Sequence, residues 1–273
     1  MGRHAKGQTR GPRKTSVNSE IELSIIIPAY NEQDRIVPTL GQTIEYLQRQ
    51  SYASQLIVVS DGSTDRTAQV ARDFSTPAHV LLDVIEYHPN RGKGYAVRHG
   101  MLQGEGRVVM FMDADYAVPI HFCRQGLNLI NSGVDIAIAS RAISGAQVRS
   151  HQNILREISA KFYTFIQNHY LGIHYPDTQC GFKLFKRQAA QILFERQRLD
   201  SVIFDPEILW LAKRAGFQVA QFPVDWTHVA DSRIQYDSLR KSLFVFEELF
   251  RIKRLHWGAN LDGLPTKHCN RPE

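Results

Sequence analysis

Long apolar runs are missing from this chain. Nothing approaches the roughly 18 apolar residues that cross a bilayer, and Met1 to Ser19 hold no apolar signal-peptide core. A cytosolic protein is therefore expected. Cysteine is scarce, with three in 273 residues. Cys123, Cys180 and Cys269 are odd in number and lack paired metal spacing, so neither a disulfide framework nor a zinc site organises the fold. They read as reduced, packed thiols. His121, His169, His174 and His228 show no zinc-binding spacing and read as ordinary surface or core histidines. A phosphate loop of the Gly-x-x-x-x-Gly-Lys-Ser/Thr type is also absent.

Acids are missing from the first 19 residues, where Arg3, Lys6, Arg10, Arg13 and Lys14 collect most of the net charge of +6. From Glu20 onward the charges nearly balance. Residues 1–20 are too polar to bury a core and are expected to be a disordered basic tail, attracted at most to anionic lipid. Nucleic-acid binding would need a basic face interleaved with aromatics on the folded part, and none is found. The remaining chain, in a sequence 43% hydrophobic, divides into one main domain at 21–228, an amphipathic helical segment at 229–257 and a flexible tail at 258–273.

What is present is a repeated alternation. Leu23 to Ile27, Leu56 to Val59, Val80 to Ile85, Val108 to Met112 and Ile136 to Ala139 are short continuous apolar runs, as in strands covered on both faces. Leu40, Ile44 and Leu47, after the first-turn Pro38, mark a helix between the first two, while Ser63 to Ala71 and Gly94 to Leu102 read as the next two. This order predicts an α/β fold: an open, mainly parallel sheet with helices on both faces.

Ligands of such sheets bind beyond the carboxyl ends of the strands. The residues there are polar: Pro28-Ala29-Tyr30-Asn31-Glu32, Ser60-Asp61-Gly62-Ser63, Asn90-Arg91-Gly92-Lys93-Gly94 and Asp113-Ala114-Asp115. The paired aspartates suit a hydroxyl on one side and a hard cation such as Mg²⁺ or Mn²⁺ on the other. Lys93 before a helix N-terminus suits a phosphate. Ser63 fits a helix cap, which leaves Asp61 for a base or ribose.

In this order and spacing the four loops resemble glycosyltransferase family 2, the nucleotide-sugar transferases of GT-A fold, over roughly Leu23 to Trp226. Asp177-Thr178-Gln179-Cys180-Gly181-Phe182-Lys183-Leu184-Phe185 and Phe204-Asp205-x-Glu207-Ile208-Leu209 resemble the dolichyl-phosphate β-glucosyltransferases within it. The resemblance implies UDP-glucose as donor and a polyprenyl phosphate as acceptor. It places Pro28, Ala29, Tyr30, Glu32, Asp61, Lys93, Asp113 and Ala114 around the nucleotide sugar, and makes Asp115 the principal metal ligand. Mannose synthases of the same kind carry a metal-binding glutamine where Ala117 stands, so a third protein ligand is unassigned.

An ionised phosphate acceptor needs cationic clamping rather than a strong base. Arg141, closing the fifth strand, and Arg156, with Arg149 as its competitor, take that role, with Asp177 and Gln179 nearby. Asp205 and Glu207 lie where relatives place a catalytic carboxylate, and Asp205 is expected to orient sugar or acceptor; both also suit a first helical turn. Rival readings are another donor (GDP-mannose or a UDP-N-acetylhexosamine), a soluble hydroxyl acceptor with Asp205 as general base, and a non-catalytic nucleotide-sugar binder.

Two stretches have apolar stripes, the later of them rimmed by Arg240, Lys241, Arg251, Lys253 and Arg254. Leu239, Leu243, Phe246 and Phe250 form one, with Val245, Leu249 and Ile252 beside it, and Ile154, Ile158, Phe162 and Phe165 form the other. Each could lie on a membrane surface, contact a second copy of the chain, or pack on its own domain. The eukaryotic enzymes resembled have an N-terminal membrane anchor with no counterpart in Met1 to Ser19, so attachment that is peripheral or through a partner is expected.

Overall fold

The computed structural model describes residues 20–149, 154–227 and 239–258. The basic tail, Arg3 to Lys14, His228 and Cys269 lie outside them, as do the side chains of Arg149 and Arg156.

A seven-stranded sheet organises the chain in the order β3-β2-β1-β4-β7-β5-β8. Its strands are β1 (Leu23–Ala29), β2 (Ser54–Asp61), β3 (Val80–Tyr87), β4 (Val108–Met112), β5 (Ile136–Ser140), β7 (Phe182–Lys186) and β8 (Val219–Pro223). The first four are mutually parallel, and β8 is parallel to β5. The exception is β7, which enters antiparallel between β4 and β5. A short parallel pair, β6 (Gln147–Arg149) and β9 (Asp225–Thr227), stands apart.

Both faces of this sheet are covered, which is why the strands read as unbroken apolar runs. Alternation sends Leu23, Ile25 and Ile27 into one core with α1 (Ile36–Gln48) and α4 (Cys123–Asn131). Ile26, Ile57 and Val59 point into the other, built with α3 (Lys93–Gln103), α6 (Arg187–Arg196) and α7 (Phe204–Arg214). In that second core Phe111 lies 5.6 Å from Phe204 and 6.3 Å from Phe185, ring pairs worth about 0.5–1.5 kcal/mol each beyond the area they bury.

The helix expected from Ser63 starts later: α2 spans Thr67–Arg72. Ser63 does not cap it, because its hydroxyl is taken by Asn31 N at 3.1 Å and Ser60 Oγ at 3.0 Å. The first-turn amide of Thr67 is satisfied by Asp65 instead. Ser63 thus ties the loop after β2 to the loop after β1.

The amphipathic stretches become α5 (Ile154–Leu171) and α8 (Leu239–Leu255). On α8 the core-facing side is Val245, Leu249 and Ile252, while Leu243 and Phe250 of the expected stripe are exposed. On α5 Phe162 and Phe165 are exposed as well. No helix among the described residues is long and apolar enough to cross a membrane.

Candidate active site

At the carboxyl ends of β1, β2 and β4 the loops enclose a cavity of about 270 Å³. Pro28, Ala29, Tyr30, Glu32, Asp61, Lys93, Asp113, Ala114 and Asp115 line it, joined by Arg35, Asn90, Gly92, Ala96 and Val202. The loops are sewn together by their own polar groups. Thr39 Oγ1 of α1 donates to Ala114 O at 2.7 Å, pinning the turn between the two aspartates. Thr64 N donates to Asn31 Oδ1 at 2.7 Å, and Glu32 N to Thr67 Oγ1 at 2.8 Å.

Asp61 lines the cavity and at the same time holds a loop. Its carboxylate accepts from Arg91 N at 2.8 Å, Gly92 N at 2.9 Å and Asn90 Nδ2 at 2.9 Å. It therefore shapes the Asn90–Gly94 loop, where Gly92 has φ 102°, a left-handed value that favours glycine. Glu32 is likewise engaged, by Arg35 through Nε at 2.5 Å and Nη2 at 2.6 Å.

Lys93, at the start of α3, stands at the centre. Its Nζ lies 2.6 Å from Asp113 Oδ1. Burial pulls the ammonium pKa down, but Asp113, then Asp205 and Asp115, outweigh it and leave it well above the ordinary lysine value. Asp115 shifts upward, first through burial and then through the charge of Asp113. One Asp115 oxygen accepts from Ala117 N at 3.1 Å, and the other has no partner among the described residues. A carboxylate oxygen without a described partner in the cavity lining fits a hard divalent ion that keeps waters and takes its other oxygens from substrate. No cluster of three or more metal-binding side chains occurs among the described residues.

The profile of Glycosyl transferase family 2 matches residues 24–194, which contain every cavity-lining residue but Val202. The chain belongs to glycosyl transferase family 2. Similar family members include dolichyl-phosphate beta-glucosyltransferase ALG5C of Trichomonas vaginalis, 34% identical over 82% of this chain and 69% of that protein. The dolichyl-phosphate beta-glucosyltransferase of Saccharomyces cerevisiae is also 34% identical, over 80% of this chain and 70% of that one. Among solved structures, glucosyl-3-phosphoglycerate synthase from Mycobacterium tuberculosis in complex with Mn²⁺ and UDP-glucose superposes with a TM-score of 0.61 at 19% identity. That match covers 89% of this chain and 84% of that one. Mannosyl-3-phosphoglycerate synthase from Rubrobacter xylanophilus gives 0.62 at 20% identity, covering 87% and 75%. At these identities the likeness is one of fold, the GT-A fold, and this chain is a glycosyltransferase by its family.

Within this family 2 chain, Arg141 stands beside the cavity rather than in its lining. Its guanidinium is gripped by Asp177, Nε to Oδ2 at 2.7 Å and Nη2 to Oδ1 at 2.8 Å, with the backbone N adding a bond of 2.9 Å. The guanidinium also lies 5.4 Å from the centre of the Trp226 ring, and it is close enough to Asp113 for their charges to interact. Gln179 is half-buried on the loop before β7, and Cys180 is buried, its thiol pushed up to about 12 by burial.

Asp205 sits in the first turn of α7. It is buried, does not line the cavity, and its Oδ1 lies 2.5 Å from Lys183 Nζ, itself buried on β7. Lys183 also donates to Cys180 O at 2.6 Å. Burial raises the Asp205 carboxyl, while Lys183 and Lys93 pull it back. The pair is buried outside the cavity lining, with Asp205 close enough to Lys93 to support its charge. Of the lining residues not foreseen, Arg35 carried a signal in its i,i+3 spacing from Glu32. Val202 carried none, since the loop before α7 reaches the cavity only through the fold.

Proposed function

We propose that this chain transfers glucose from UDP-glucose to dolichyl phosphate or a similar polyprenyl phosphate, with inversion to a β-linked lipid phosphosugar. The observation carrying this reading is the 34% identity, over 82% of the chain, to a protein named dolichyl-phosphate beta-glucosyltransferase. UDP-glucose and Mn²⁺ as partners draw support from the complex of the structural neighbour.

Tyr30, Glu32 and the Asp61-shaped loop would receive the nucleotide, with Asp113 oriented by Lys93. Lys93 would lie against the diphosphate, where its raised pKa keeps it cationic as negative charge grows on the leaving group. Asp115 would hold Mg²⁺ or Mn²⁺, which when bound supplies further charge neutralisation at the diphosphate. Arg141, held in a fixed orientation by Asp177, offers its remaining N–H groups to the acceptor phosphate, with Arg156 or Arg149 as second cation.

A phosphate acceptor with a second pKa near 6 is already ionised and needs no general base. Asp205, committed to Lys183, is badly placed to serve as one, and this favours a phosphate acceptor over a hydroxyl. Exposed Phe162, Phe165, Leu243 and Phe250, beside exposed Lys161, Lys253 and Arg254, support peripheral docking on an anionic membrane, where the lipid acceptor resides. Flotation with anionic vesicles should be weakened by Leu243→Ser with Phe250→Ser.

The deciding experiment offers radiolabelled UDP-glucose, GDP-mannose and UDP-N-acetylglucosamine, each with dolichyl phosphate and Mn²⁺, followed by organic extraction. Label entering the organic phase from UDP-glucose is the expected result. Label confined to water-soluble products would overturn the acceptor, and extraction from another donor would overturn the sugar.

A further inference from the structure

Glu207, fully buried in the first turn of α7, takes no part in the chemistry above. Its two oxygens accept from consecutive amides, Oε1 from Arg198 N at 2.8 Å and Oε2 from Leu199 N at 2.9 Å. His256 Nε2, at the end of α8, completes the group 2.6 Å from Oε1. The loop held in this way, 198–202, presses its carbonyls against the lysine loop. A Cβ on Gly92 would stand 2.5 Å from Asp200 O, and one on Gly94 2.6 Å from Leu199 O and 2.7 Å from Ser201 O. Only glycines allow that approach, and it is reinforced by Tyr95 N donating to Asp200 O at 3.3 Å.

Buried Gln197 links the same two loops from behind. Its Nε2 donates to Gly94 O at 2.9 Å and to Leu199 O at 2.7 Å, while its Oε1 has no partner among the described residues. Ser201 is tied to α8 through Glu248 Oε2 at 2.8 Å, and Val202 ends the loop on the cavity wall.

We propose that Glu207 is a positioning residue, which with Gln197 clamps the 198–202 loop against Gly92 and Gly94 and thereby sets Lys93 at the diphosphate. The inference rests on the reading of Lys93 as the diphosphate-facing cation. A carboxylate suits the position because two parallel N–H groups need two acceptors. A glutamine would turn its own NH₂ toward one of them.

The test is UDP affinity measured calorimetrically with Mn²⁺ on the full chain, alongside KM for dolichyl phosphate. Glu207→Gln and Gln197→Met should each weaken UDP about tenfold, the scale of a mispositioned charge-assisted bond, and leave acceptor KM unchanged. Combined with Lys93→Ala, neither should add its full effect, because both act through that lysine. Gln197→Met removes an unsatisfied oxygen together with the two bonds, so it decides the matter alone if Glu207→Gln does not fold. Unchanged UDP affinity in the folded variants, or losses that add in full to Lys93→Ala, would overturn the proposal. Wild-type UDP affinity in Lys93→Ala itself would instead sink the diphosphate reading on which it stands.

Discussion

Gly181, at the entrance to β7, is the position where the smallest change should do the most damage. A Cβ there would lie 2.1 Å from Asp113 Oδ2, 2.4 Å from its Cγ and 2.5 Å from its Oδ1. Ordinary contact begins near 3.4 Å, so in Gly181→Ala the carboxylate must withdraw by roughly 1 Å. It is not free to do so. Lys93 holds Oδ1 at 2.6 Å, and the backbone N of Asp113 donates to Gly181 O at 3.1 Å, which keeps the two residues in register. The crowding should cost about 1–3 kcal/mol of stability, within what a folded domain tolerates. A displacement of about 1 Å among reacting groups costs on the order of 100-fold in rate, and that is the loss expected in the proposed transfer from UDP-glucose to dolichyl phosphate. The assay pairs initial rates at saturating substrates with a thermal melt. A folded Gly181→Ala enzyme of undiminished rate would refute the claim that Asp113 must stay where glycine leaves it room.

Three further outcomes follow from the charges. Burial would raise the Asp177 carboxyl, but Arg141 outweighs it and holds it below 3.8, so this group's stabilisation is complete above the ordinary aspartate range and is lost as pH falls through the depressed value. Acid unfolding monitored by circular dichroism should accordingly have a shallower limb in Asp177→Asn. Lys183→Met strands Asp205 without its partner in the core and should destabilise by about 3–5 kcal/mol in urea melts, while adding Asp205→Leu recovers most of the loss. Asp115→Asn should abolish the Mn²⁺-dependent part of UDP binding, and chelation should reduce the wild type to the same level; a variant binding UDP as tightly with Mn²⁺ as the parent would contradict the ligand assignment.

Much of the nucleotide side was legible because its signals are local. The run Val108 to Met112 is β4 without adjustment, and the polar tetrad of loops follows strand ends that apolar runs already mark. Pro28 to Glu32, Lys93 and Asp113 to Asp115 come together on one rim because parallel strands joined by crossover helices must all end on the same side. The acceptor side was harder to read. Asp177 to Phe185 drew attention as a motif, but that Phe182 to Lys186 enters the sheet backwards between β4 and β5 depends on partners distant in the chain.

The sequence by itself determined the alternation of strands and helices, the loops that carry the chemistry and the family to which they belong, since each is written in the order and period of neighbouring residues. Only the tertiary structure decided what the acids do. Asp205 and Glu207 occupy the same helical turn and look alike in sequence, yet one is neutralised by Lys183 outside the cavity lining and the other holds a loop by its amides. Asp61 lines the cavity while holding the amides of the neighbouring loop, whereas Asp115 keeps an oxygen without a described partner. A carboxylate's role is set by the donors that surround it in a low-dielectric interior, and those donors come from every part of the chain.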